Sequence, residues 1–139
     1  MTRLRRLTRD RRGAATVEFA LCASILFMVF FAIIEFSRAW QLQQAVRQAA
    51  FEGARAGLAL DATTSDVTTA AQTIMTAAGV ASPTITVSPS TIAYTTPTVT
   101  VTVSANPVTN GWFSRYFVSA NSISASVSLG REVQSVSVP

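Results

Sequence analysis

One stretch constrains this chain more than any other. From Phe19 to Ile34 no residue is charged, and adding Ala14–Val17 extends the apolar segment to twenty-one residues broken only by Glu18. A helix rises about 1.5 Å per residue, and about 20 residues cross the hydrocarbon core of a bilayer. The segment is therefore long enough to span a membrane, provided Glu18 lies near one face.

Charge sets the direction of insertion. All eleven basic residues are arginines, and six of them, opposed only by Asp10, stand in the first thirteen positions. The rest of the chain sets Arg38, Arg47, Arg55, Arg115 and Arg131 against Glu18, Glu35, Glu52, Asp61, Asp66 and Glu132, so it is close to neutral. A basic leader on a neutral body reads as a topology signal that keeps the N-terminus in the cytoplasm and sends the C-terminal part across. It does not read as nucleic-acid binding, because no basic patch interleaved with aromatics follows the leader. Charged residues make up 13% of the chain, against about 25% in an average soluble domain.

Residue types also narrow the chemistry. The chain has no histidine, no lysine and one cysteine, which excludes Ser-His-Asp and Cys-His pairs, Ser-Lys dyads and the common zinc sites. No catalytic residue, metal site, cofactor or small-molecule substrate is expected, and the spacing of the acids suggests no carboxylate pair. Cys22 near the start of the apolar run cannot form an internal disulfide and does not sit where a lipoprotein signal needs it. A conventional secretory signal would have a shorter core and a small-residue cleavage site beyond it, whereas Glu35-Phe36-Ser37-Arg38 follows here. The residues after Arg11-Arg12 do not fit a twin-arginine signal.

Glu18 carries the sharpest functional reading. A carboxylate at the centre of a membrane helix costs about 2.5–3.5 kcal/mol, and less near an end. If the chain were cut after Gly13, Ala14 would carry a new ammonium group, with Glu18 four residues on and on the same helical face. In an assembly the carboxylate could pair with the amine of a neighbouring subunit instead. The bland alternative is a carboxylate solvated at the interface.

A basic leader, Gly13, four residues, Glu18-Phe19 and a long apolar helix resemble the pilins and pseudopilins cut by prepilin peptidases. More closely, GAATVEFAL, IIEFSRAW and VRQAAFEGARAGLA, with Gly53-Ala54-Arg55, resemble the TadE-like proteins of tight-adherence (Flp-type, type IV-like) pilus systems over residues 11–60. The resemblance extends loosely over 97–132, where an alternating strand is followed by Arg131-Glu132. It implies a structural minor pilin or pseudopilin involved in adherence or secretion, not an enzyme. The implied cleavage site is Gly13–Ala14, with Glu18 and Phe19 as the processing and assembly motif. The implied partners are a prepilin peptidase, other pilin or TadE/TadF-like subunits, the inner-membrane pilus platform and the lipid bilayer. The implied place is the inner membrane, single-pass, with the C-terminal domain periplasmic or carried out in a pilus. The alternative is an uncut single-pass anchor holding a small periplasmic binding or adhesion domain.

The sequence predicts an α+β protein: a long N-terminal transmembrane and stalk helix, a second short helix, and a small antiparallel sheet of about three strands. The expected parts are a leader at 1–13, the membrane part of the helix at 14–35, its continuation at 36–60 and a small domain at 61–139. No proline interrupts Phe36–Leu60, and Leu42, Ala45, Val46, Ala49, Gly53, Ala56 and Leu60 form one apolar stripe. Glu35 with Arg38, and Glu52 with Arg55, are spaced to pair. Gly53 and Gly57 allow close helix packing, either between chains or onto the second helix. Ser65 or Asp66 is the expected cap of the second helix, which Gly79 ends. Thr84–Ser88, Thr98–Ser104 and Ser122–Leu129 alternate between Ser/Thr and apolar residues, as antiparallel strands with one buried face do. An aromatic loop, Trp112, Phe113, Tyr116 and Phe117, joins the last two strands.

Overall fold

The computed structural model describes residues 11–93, 95–110 and 122–131, with side chains from residue 13 onward. Residues 1–10 of the leader, the aromatic loop and the end of the chain lie outside the described residues. The chain is α+β, in the order α1 (Arg11–Ala56), α2 (Thr64–Ala77), β1 (Thr84–Ser88), β2 (Thr98–Ala105), α3 (Pro107–Asn110) and β3 (Ile123–Gly130). It divides into two compact units, Met1–Ile34 and Glu35–Pro139.

The first unit consists of the apolar part of α1. Its side chains have no core to enter: Phe19, Leu21, Ile25, Leu26, Phe27, Met28 and Phe30 are all exposed. The Ser24 hydroxyl donates back to the Ala20 carbonyl at 2.8 Å, which satisfies it within the helix. Phe30 and Phe31 meet edge to face at 6.1 Å between ring centroids.

In the second unit the core is built from small residues on α1, one stripe of α2 and one face of the sheet. Leu42, Ala45, Val46, Ala49, Ala50 and Ala54 of α1 meet Val67, Ala71 and Met75 of α2 and Val99, Val101, Val103 and Ala105 of β2. Ala56 is only half-buried and Leu60 is 83% exposed, so the buried stripe runs through Ala50 and Ala54 in place of the two expected positions. The helix also stops earlier than Leu60. After Ala56 the amides of Leu58 and Ala59 donate to carbonyls three residues back, and Asp61 adopts a left-handed φ of 62°. That tightening turns the chain toward α2.

The N-cap of α2 is Thr63, not Ser65 or Asp66. The Asp66 amide donates to the Thr63 hydroxyl at 3.3 Å, and the Thr63 amide and hydroxyl donate to the Asp66 carboxylate at 2.9 and 2.6 Å. This is a capping box. Both donors hold the Asp66 carboxyl below its ordinary value, the side-chain hydrogen bond more than the backbone one.

The sheet is three-stranded and antiparallel in the order β1-β2-β3. Val101 faces Val87 on one side and Val127 on the other, so valines line the buried face. On the opposite face Thr100 donates to Ser128 at 3.1 Å and Thr102 to Ser126 at 3.0 Å. Such cross-strand pairs contribute roughly 0.2–1 kcal/mol each. Asn110, at the end of α3, accepts from the Ala81 amide at 2.7 Å and donates to the Asn106 carbonyl, which ties α3 to the α2–β1 connection.

Candidate processing and assembly site

Gly13, Ala14, Glu18 and Phe19 all lie on α1. A Cβ on Gly13 would meet nothing within 4 Å, and every side chain from Ala14 to Phe19 is exposed. Ala14 and Glu18 are one helical turn apart on one face, about 6 Å along the axis. The Gly13–Ala14 bond itself lies within the described helix. A protease that binds an extended substrate would have to open the helix here. Cys22 is a free thiol on the same exposed helix.

Gly53 and Gly57 belong to the other unit, and the structure assigns them to packing within the chain. A Cβ on Gly53 would stand 3.2 Å from Ala71 Cβ and 3.3 Å from Val101 Cγ1. On Gly57 it would stand 3.0 Å from Val99 Cγ1 and 3.2 Å from Val67 Cγ2. The two glycines let α2 and β2 approach the end of α1, and neither is displayed to another chain.

Two arrangements were not read from the sequence. Arg131 donates its guanidinium to the Ala59 carbonyl at 2.8 Å and to the Ala93 carbonyl at 3.4 Å, while its amide donates to the Pro97 carbonyl at 2.7 Å. One side chain thus ties the turn after α1 to the loop before β2 and to the end of β3. Glu35 is 5% exposed, a burial that its spacing to Arg38 does not reveal. The Glu52–Arg55 pair is exposed, at 3.9 Å.

The surface grooves of the second unit offer little chemistry. One of about 770 Å³ is lined by Thr68, Thr69, Gln72, Thr73, Thr76, Ala77, Pro83 and Ile85, none of them ionisable. Among the described residues no group of three or more histidine, cysteine or acidic side chains is placed to hold a metal ion.

Among the described residues one helix, near the N-terminus, is long and apolar enough to cross a membrane, and it is joined to a small α+β domain, which suggests a membrane-anchored protein. The family model described as TadE-like protein matches residues 13–55, the stretch from the glycine of the cleavage motif through Gly53-Ala54-Arg55. Over that stretch the chain is similar to the TadE-like family. No curated protein and no solved structure matches it.

Proposed function

We propose that this protein is a minor pilin or pseudopilin of a Tad-type pilus, made with a leader that a prepilin peptidase removes after Gly13. The observation that carries the reading is the exposed face of α1, where Glu18 stands one turn from Ala14 inside a segment that matches the TadE-like family. Arginines before the apolar run and none within it favour an N-terminus in the cytoplasm and a domain on the periplasmic side of the inner membrane. Residues 14–35 span the bilayer, and residues 36–139 lie beyond it.

Cleavage leaves Ala14 as an ammonium at the positive end of the helix dipole. The Glu18 carboxylate then has two cationic partners in reach: its own N-terminus and that of an adjacent subunit. Pairing with the neighbour removes both charges from lipid and fixes the axial register between two helices. Phe19 and the apolar run supply the packing around that pair. The partners are other pilin or TadE/TadF-like subunits and the inner-membrane platform that moves them.

Glu18→Ala tests this role. The variant is expected to be cut normally yet to be depleted from assembled pili or pilus complexes, with Glu18→Gln behaving the same way because it also lacks the charge. Normal assembly of both variants would remove the pairing mechanism.

A further inference from the structure

Four large apolar side chains are exposed on the Glu35–Pro139 unit among the described residues: Phe36, Trp40, Phe51 and Leu60. Two of them form a pair. Phe36 is 72% and Trp40 56% exposed, and they stand four residues apart on one face of α1. The core of the unit takes Leu42, Ala45, Val46 and Ala49 from this part of the helix and uses neither ring. Glu35, the one acid between the apolar run and Trp40, is buried, so no exposed carboxylate interrupts the apolar surface there.

Position along the helix agrees with one occupant. The hydrocarbon core is about 30 Å thick and the whole bilayer about 40–45 Å, which leaves a headgroup layer of about 5–7.5 Å on each side. From Glu35, Phe36 stands about 1.5 Å and Trp40 about 7.5 Å further along the axis, and tilt shortens both. Phe51 is about 24 Å along and far outside that layer. Tryptophan favours this layer because its ring is apolar while its N–H finds water or headgroup oxygens.

We propose that the Phe36–Trp40 face of α1 is an interfacial anchor, with both rings seated in the lipid headgroup layer on the far side of the membrane. The anchor holds the base of the domain on the bilayer before assembly and must leave lipid when a subunit is extracted. The proposal rests on the reading of α1 as a membrane span, and the test separates the two.

Full-length protein carrying Trp112→Phe, with Trp40 as the sole tryptophan, is reconstituted into phosphatidylcholine–phosphatidylglycerol vesicles. Some vesicles carry acyl chains brominated near the headgroup, and others chains brominated near the methyl end. Trp40 emission is expected to be blue-shifted, protected from aqueous acrylamide and quenched several-fold more by shallow bromines than by deep ones. Phe51→Trp in a Trp40→Phe, Trp112→Phe background is expected to respond to neither. Trp40 open to acrylamide and blind to both bromines overturns the proposal. So does shielding that arises only as the protein-to-lipid ratio rises, which would assign the face to a second copy. Val29→Trp in the same tryptophan-free background reports the span: quenching by deep bromines with a silent Trp40 sinks the anchor alone, and its absence sinks the span as well.

Discussion

Replacing Gly57 with alanine puts a methyl carbon 3.0 Å from Val99 Cγ1, 3.2 Å from Val67 Cγ2 and 3.3 Å from the Ala54 carbonyl oxygen. Real Cβ atoms rarely come so close, and here three neighbours press at once. Val67 and Val99 are fully buried, so neither side chain has free space to retreat into. Forcing an extra carbon into a packed core costs about 1–3 kcal/mol. Removing a glycine from the unfolded chain returns about 0.4–1 kcal/mol. Overpacking wins, and Gly57→Ala is expected to destabilise the domain by about 1–2 kcal/mol, with a melting temperature lower by several degrees. The assay is urea unfolding of the full-length protein in detergent micelles, read by pulse proteolysis of the extramembrane domain. Val99→Ala removes the methyl group that is in the way and supplies the control. Alone it leaves a cavity and destabilises. Combined with Gly57→Ala it is expected to cost less than the sum of the two, with a coupling of about 0.5–3 kcal/mol. Additive effects, or a Gly57→Ala variant more stable than the parent, would refute the close-packing account.

The remaining predictions concern the cap and the clamp. Thr63→Ala removes the N-cap of α2 and is expected to cost about 1 kcal/mol in the same unfolding assay. The Asp66 carboxyl is held below its ordinary 3.8, so its contribution to stability is fully present above that value and is lost as the pH falls through and below it. Asp66→Asn is expected to flatten that acid limb of the stability profile, and an unchanged limb would show that the capping box is not responsible. Arg131→Ala leaves the Ala59 and Ala93 carbonyls without their charged donor. The loss is expected at about 1.5–3 kcal/mol, with Arg131→Lys restoring only part of it, because one ammonium does not reproduce a planar fork.

Much of the fold was legible because its elements carry clean periods. Thr98–Ser104 alternates strictly, and the strand that forms there buries every valine and turns every threonine outward. The apolar run and the alanine-rich segment after it gave α1, and the helical spacing of Val67, Ala70, Ala71, Ile74, Met75 and Ala78 gave α2, of which Val67, Ala71 and Met75 are buried and Ala78 is exposed. The end of α1 was missed because no proline or polar run marks it, and Gly57, just past Ala56, was read as a packing residue and not as a stop. What stops it is tertiary: Val67 and Val99 close on Gly57, and the chain turns to bring α2 back. The α2 cap was missed because Thr63, Thr64, Ser65 and Asp66 are all capping types. Only the extended backbone of Thr63, with φ of −103° and ψ of 161°, selects among them. Arg131 was read as a mark of family, not as a clamp, because its carbonyl partners lie 72 and 38 residues away in loops. The spacing of Gly53 and Gly57 already favoured admitting the second helix over contacts between chains, and the positions of α2 and β2 agree with that. At the processing motif the sequence carries nearly all the information, because Gly13, Ala14, Glu18 and Phe19 depend on one helix and on no tertiary contact that a period would hide.

The central claim is that Gly13–Ala14 is cut and that the exposed helix beginning at Ala14 is the assembling form. Intact-mass and N-terminal peptide mass spectrometry of the protein from cells with an active prepilin peptidase, beside cells lacking it, tests this directly. The account predicts an N-terminus at Ala14 in the first and an uncut leader in the second. A protein that begins at Met1 or Thr2 in both would contradict it.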